Sequence, residues 1–268
     1  MDNRPIGVFD SGLGGLTAVR EIRSTLPSEN IIYFGDTSRV PYGGRSPETI
    51  LKYARQDVRF LRTFDVKAIL VACGTVSSNA LPRLAAENDL PVFGVVEAAC
   101  RRAAQVTRNR RIGLIATAAS VGSGAYERGI HAIDSGLTVF SRPCPLFVPL
   151  VENGRFRPGD CVIETVAREY LAPMREKGVD TLILGCTHYP LLTEVIAGIM
   201  GPAVQLINTG AEAARELKET LERQSALADG EGSAVFYTSD APEGFGALAR
   251  QFLQQDVRDV RRIDIEQY

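Results

Sequence analysis

Two stretches of the chain are near-copies, and each ends in a cysteine. Val66-Lys-Ala-Ile-Leu-Val-Ala-Cys73 runs into Gly74-Thr75, and Val179-Asp-Thr-Leu-Ile-Leu-Gly-Cys186 runs into Thr187-His188. Both read as a buried strand opening into a polar loop. Their apolar runs are continuous and branched rather than alternating, the pattern of strands covered on both faces. Such runs alternate along the chain with longer amphipathic ones, which predicts βαβ units and mostly parallel sheets. With 268 residues there is room for one large or two ordinary domains.

In the first hundred residues, strands are expected at Ile6–Phe9, Ile31–Phe34, Ala68–Ala72 and Val92–Val95. Helices are expected at Leu16–Leu26, Pro47–Phe64 and Ser77–Asn88. The pattern then restarts. Arg111–Ala116 resembles Ile6–Phe9 and is again followed by a Gly/Ser-rich loop and a helix-like stretch. Strands follow at Leu137–Phe140, Thr181–Leu184 and Gln205–Asn208. Helices follow at Asp160–Lys177, interrupted or kinked near Pro173, and at Pro190–Met200. The tail reads as a helix (Ala211–Gln224), a strand (Ala234–Thr238), a helix (Pro242–Gln255) and an edge strand (Val257–Ile263). The fold class is therefore α/β, with two similar parallel-sheet α/β domains. The tail is too small for a third unit, so the first domain is expected to comprise 1–97 plus 211–268 and the second 98–210.

Bulk properties exclude several classes. A net charge of −2 offers no electrostatic case for nucleic acid, and Arg108-Asn-Arg-Arg111 reads as a solvated loop. No apolar run approaches the roughly 20 residues that span a bilayer, so no membrane contact is expected. Met-Asp-Asn-Arg-Pro lacks the apolar core of a signal peptide, and a cytoplasmic location is expected. Five cysteines without CxxC spacing argue against a disulfide framework or a zinc ribbon. They are read as free thiols.

In open α/β sheets, ligands collect beyond the carboxyl ends of the strands. That rule selects five loops. Asp10-Ser11-Gly12-Leu13-Gly14-Gly15 offers a carboxylate for an ammonium or a proton, a hydroxyl for a carboxylate, and backbone amides for an anion; it also reads as an N-cap and tight turn. It does not match a dinucleotide fingerprint. Gly35–Gly44 is stiffened by Pro41, its glycines allow close backbone approach, and its Arg39 is read as a surface charge. The two cysteine loops add Thr75 and Thr187. The remaining loop carries Glu152 after Pro149-Leu-Val, either partly buried with a raised pKa or an exposed turn acid. His188, two residues beyond Cys186, can exchange a proton with that thiol. A single cysteine at a strand end would read as a small buried hydrophobe. The matched positions of Cys73 and Cys186 favour chemistry, whereas Cys100, Cys144 and Cys161 read as packing. No metal site is expected, because the thiols and carboxylates show no familiar ligand spacing.

These residues resemble the glutamate racemases of the cofactor-independent aspartate/glutamate racemase superfamily. The likeness rests on Phe9-Asp10-Ser11-Gly12-Leu-Gly14-Gly15-Leu-Thr17, Gly35-Asp36-Thr37, Pro41-Tyr42-Gly43, Val71-Ala72-Cys73, Val148-Pro149-Leu150-Val151-Glu152 and Leu184-Gly185-Cys186-Thr187-His188-Tyr189-Pro190-Leu191. It runs from about residue 6 to 210. Cys-Thr-His, rather than the Cys-Thr-Glu of aspartate racemases, favours glutamate. The resemblance implies domains related by a pseudo-twofold axis, with the active site between them. It implies Cys73 and Cys186 as the acid/base pair, with Asp10, Glu152 and His188 in support. Asp10, Ser11, Pro41, Tyr42, Gly43, Gly74, Thr75, Thr187 and His188 would contact the amino acid. The partner implied is the small-molecule substrate glutamate, its D-form feeding peptidoglycan synthesis; family members are often homodimers. No cofactor is implied, and no Schiff-base lysine motif surrounds Lys52, Lys67, Lys177 or Lys218. The family usually has Asn after the first cysteine, where this chain has Gly74. Losing a hydrogen bond to a charged group costs about 1.5–3 kcal/mol if nothing replaces it, which bears on affinity and substrate choice.

Racemisation needs one sulfur as thiolate and the other as thiol, although a free thiol titrates near about 8.5. Backbone amides and threonine hydroxyls would stabilise charge on the substrate carboxylate. Three other readings stay open: a racemase or isomerase for another amino acid or dicarboxylate, a thiol hydrolase using Cys186 and His188, and a binding module without catalysis.

Overall fold

The structure, a computed structural model, describes residues 1–242, 245–255, 257 and 259–268. Among these, the strands in chain order are β1 (Ile6–Asp10), β2 (Ile31–Gly35), β3 (Ala68–Val71), β4 (Val92–Gly94), β5 (Arg111–Ala116), β6 (Thr138–Pro143), β7 (Thr181–Gly185), β8 (Gln205–Asn208), β9 (Ala234–Thr238) and β10 (Val260–Arg262). They form two sheets, ordered β10-β9-β2-β1-β3-β4 and β6-β5-β7-β8. Every pairing is parallel. The fold class is that of two similar parallel-sheet α/β domains, as expected. The order β2-β1-β3-β4 recurs as β6-β5-β7-β8, so the repeat seen in the cysteine segments extends to whole sheets.

Burial explains the apolar runs. Every residue of β1, β3 and β7 is buried, because helices cover both faces of these central strands. One core cluster joins the sheets, running from Ile6 and Val8 through Leu184 and Leu192 to Leu217. The outer faces carry separate clusters, around Phe34 and Phe60 in the first sheet and around Ile112 and Ile130 in the second. The helix Pro47–Leu61 starts where Ser46 accepts a hydrogen bond from Thr49 N and proline fills the first turn, a position where its missing N–H is harmless. Asn208 caps the helix Thr209–Arg223 by accepting from the Gly210 and Ala211 amides. That helix connects β8 of the second sheet to the tail, whose β9 pairs with β2 of the first.

Several elements differ from expectation. The helix expected at Ser77–Asn88 begins at Gly74 and breaks at Ala80 into Gly74–Asn79 and Leu81–Ala86. Pro82 sits at the start of the second piece, where it has no N–H to continue the first. Helix Cys161–Glu176 runs through Pro173, which lies near its end. Helices Val96–Val106 and Phe147–Glu152 go beyond the elements expected from the sequence. The tail helix is Phe245–Leu253 and the edge strand Val260–Arg262; the parts of those expectations at Glu243, Gly244, Asp256 and Arg258 lie outside the described residues. Arg39, expected as a surface charge, has a side chain only 9% exposed and pairs with two buried aspartates. Its guanidinium turns inward because both counter-charges are buried there.

Candidate active site

The C-terminal ends of the central strands deliver the two thiols to one place. In the first sheet Phe9 of β1 pairs with Val71 of β3, and Cys73 follows two residues later. In the second, Ala116 of β5 pairs with Gly185 of β7, and Cys186 follows at once. A cavity of about 530 Å³ is lined by both cysteines. Ser11, Pro41, Tyr42, Gly43, Gly74, Thr75, Glu152, Thr187 and His188 line it too. Of the expected site residues only Asp10 is absent from the wall; it lies buried behind it, 1% exposed.

The two sulfurs have different neighbours. Cys73 follows β3 in an extended conformation, and a short helix starts at the next residue. Its Sγ donates to Ser11 Oγ at 3.4 Å. Burial, and then the negative charge of Asp10, push the Cys73 thiol up to about 12, against hydrogen bonds from Ser11 and the Val76 amide. Asp10 Oδ2 accepts from the amides of Gly12 and Gly15 at 3.2 and 3.0 Å, while its buried Oδ1 has no hydrogen-bond partner. Burial raises the Asp10 carboxyl above the usual carboxylate range, opposed by the His188 charge and the amides.

On the other side, His188 Nδ1 lies 3.8 Å from Cys186 Sγ, and Nε2 lies 3.0 Å from Glu152 Oε1. The ring also meets Phe252 edge-on, with centroids 5.2 Å apart. Burial opposes the imidazolium, but the hydrogen bonds to Cys186 and Glu152 and their charges outweigh it and raise His188 to about 10. Glu152 is the last residue of the helix Phe147–Glu152 rather than part of a loop. Its side chain is 39% exposed; the short helix turns it toward the cavity rim.

Hydroxyls and backbone complete the wall. Thr75 Oγ1 lies 3.0 Å from Thr117 Oγ1. The domains approach so closely that a Cβ on Gly74 would lie 2.6 Å from the Gly185 carbonyl oxygen, and one on Gly14 would lie 2.5 Å from His188 Nδ1. The Tyr42 hydroxyl donates to Asp36, so it is committed away from any ligand. Ten further wall residues, among them Thr117, Ala118 and Cys144, lie outside the set expected from the sequence. Cys144, expected as packing, lines the cavity while fully buried. Thr117 carries a signal in the likeness of β5 to β1, since it follows β5 as Ser11 follows β1. Among the described residues no three His, Cys, Asp or Glu side chains are grouped as metal ligands would be. None of the described helices is long and apolar enough to cross a membrane.

This architecture defines a two-domain α/β protein whose shared cleft presents one thiol from each domain. The family described as Asp/Glu/hydantoin racemase matches residues 14–217, and the chain belongs to that family. It is 44% identical over 265 residues to a glutamate racemase of Geobacter metallireducens, covering 98% of this chain and 97% of that one. Among solved structures it resembles glutamate racemase isoform RacE1 of Bacillus anthracis, with TM-score 0.94 and 37% identity over 98% of both chains. It also resembles glutamate racemase of Francisella tularensis in complex with D-glutamate, with TM-score 0.92 and 39% identity over the whole of both chains.

Proposed function

We propose that this racemase interconverts L- and D-glutamate by moving a proton at Cα between two thiols. The observation that carries the reading is that Cys73 and Cys186 line one cavity in unlike surroundings. A thiol held up to about 12 by burial and Asp10 stays protonated near neutrality. An imidazolium beside a sulfur favours the thiolate. In one direction of the reaction we assign the proton-donating role to Cys73 and the proton-accepting role to Cys186, the sulfur 3.8 Å from His188 Nδ1. The thiolate takes the Cα proton on one face as the C–H bond breaks. The opposite S–H bond then breaks and delivers its proton to the other face. The product leaves Cys73 as thiolate and Cys186 as thiol, the state suited to the reverse reaction. Asp10 and Ser11 manage the proton at Cys73, and His188, held by Glu152, manages it at Cys186.

Amides and hydroxyls at Ser11, Gly43, Gly74, Thr75, Thr117 and Thr187 would hold the substrate carboxylates and ammonium. The full-length likeness to glutamate racemases, one of them a D-glutamate complex, supports glutamate as substrate. Supply of D-glutamate to peptidoglycan synthesis in the cytoplasm follows from that reading. Pairing of β9 with β2 supports a first domain of 1–97 plus 211–268 and a second of 98–210. The test is exchange in heavy water. Wild type should place deuterium at Cα of glutamate while optical rotation decays, and Cys73→Ala and Cys186→Ala should each abolish racemisation. Wild-type turnover from either variant would refute the two-thiol reaction.

A further inference from the structure

The first domain buries a second set of ionisable groups that the proposed reaction does not use. Asp36, just after β2, and Asp57, on the helix Pro47–Leu61, are both fully buried. Arg39 joins them: its Nε donates to Asp36 Oδ2 at 2.6 Å and its Nη2 to Asp57 Oδ1 at 3.1 Å. The Tyr42 hydroxyl donates to Asp36 Oδ2 and lies 3.4 Å from Asp57 Oδ2. Ser239, just after β9, donates to Asp36 Oδ1 at 2.8 Å. Gln56 and Glu266 accept from Arg39 Nη1 at 2.5 and 3.4 Å, and the guanidinium lies over the Tyr53 ring at 4.2 Å.

We propose that this cluster is a positioning device for the cavity segment Val40–Gly44, with Asp36 as its anchor. Its bearing on substrate binding rests on the proposed reading of the cavity as the substrate site. Arg39 and Tyr42 flank Val40-Pro41, and both end on the same carboxylate oxygen, so Asp36 clamps the segment from either side. Beyond the clamp, Gly43 O accepts from the Ala119 amide of the second domain at 3.1 Å. A segment without regular structure thus crosses the cleft at a height set by buried side chains. Ordering such a segment costs backbone entropy at every residue, and substrate binding need not supply it if the cluster already has.

Tyr42 has one hydroxyl hydrogen, and Asp36 is its nearer acceptor, with Asp57 Oδ2 at 3.4 Å. The proposal takes Asp57 as protonated, accepting from Arg39 through Oδ1 and leaving one carboxylate against one guanidinium in the buried cluster. Burial and the Asp36 charge push the Asp57 carboxyl well above the usual range, against Arg39 and Tyr42, and Asp10 adds to the rise. Asn at this position has the same polarity of donor and acceptor as the protonated acid.

The experiment combines peptide-level hydrogen exchange over 37–45 with racemisation kinetics on the full chain. Asp36→Asn and Tyr42→Phe should speed exchange there, and each should raise KM by about tenfold, the scale of one lost charged hydrogen bond, with a much smaller change in kcat. Asp57→Asn should match wild type in exchange and KM near about pH 7. It should also abolish any rise of KM at higher pH that ionisation of Asp57 causes in wild type. Unchanged exchange in both Asp36→Asn and Tyr42→Phe would overturn the positioning role. An Asp57→Asn enzyme as impaired as Asp36→Asn would overturn the protonated Asp57. Wild type without racemase activity would instead refute the reading of the cavity, leaving the exchange result to stand by itself.

Discussion

Gly74 faces Gly185 across the cleft so closely that a methyl group on Gly74 would lie 2.6 Å from the Gly185 carbonyl oxygen. The obstacle is a backbone atom, so no rotamer change relieves it. The contact joins the residue after one thiol to the residue before the other, and the separation of the two strand ends depends on it.

Gly74→Ala is therefore expected to push the end of β7 away by several tenths of an ångström. Overpacking of this kind costs about 1–3 kcal/mol, visible as a lower Tm in calorimetry. Activity should fall more steeply than stability, because the displaced residue adjoins Cys186. An alanine variant with unaltered melting and turnover would show that the cleft is not held at this spacing.

His188 should make stability depend on pH. Its pKa in the folded protein is raised from 6.5 to about 10. A raised basic group contributes stabilisation that is fully present below the unfolded value and is lost as pH rises through the folded one. The Tm difference between wild type and His188→Asn should thus be constant below about pH 6.5 and shrink towards about pH 10. A tenfold gain in proton affinity is worth about 1.4 kcal/mol, so the loss across this window should be a few kcal/mol. A pH-independent difference would mean that His188 is neutral in the folded protein.

Cys73 should react slowly with alkylating agents relative to exposed Cys161. Burial and the Asp10 charge both keep its thiol protonated, and the thiolate is the reactive form. Asp10→Asn removes the charge but not the burial, so alkylation of Cys73, followed by peptide mass mapping, should quicken and shift to lower pH. An unchanged profile would remove Asp10 as the group that controls this thiol.

Thr17 Oγ1 donates at 2.8 Å to the carbonyl oxygen of Thr187, a buried bond between the first domain and the Cys186 loop. Thr17→Val keeps the volume and strands that carbonyl. The expected loss is about 1–3 kcal/mol, measurable by denaturant unfolding. It should be accompanied by a drop in kcat, as the loop carrying Thr187 and His188 loosens. Wild-type stability would indicate that water replaces the hydroxyl.

Much of the site is legible in the chain because strand ends obey a local rule. Continuous branched runs mark β1, β3 and β7, and whatever follows such a strand points into the crevice; Ser11, Cys73 and Cys186 are found in that way. The same rule selects the loops of Arg39 and Glu152 but not what their charges meet, for one shared reason. The partner of a charge depends on what lies opposite, and Asp57 is 18 residues from Arg39, while His188 is 36 residues from Glu152. No short window of sequence contains both members of either pair.

The chain itself dictated the elements, their duplication and the delivery of a thiol at the same place in each half, since these follow from periodicity and from short-range backbone chemistry. Only the tertiary structure decided which side chains surround each sulfur. The contrast between a thiol backed by a buried carboxylate and one beside an imidazolium arises from long-range packing and low dielectric, which act through space and leave no mark on neighbouring residues in sequence.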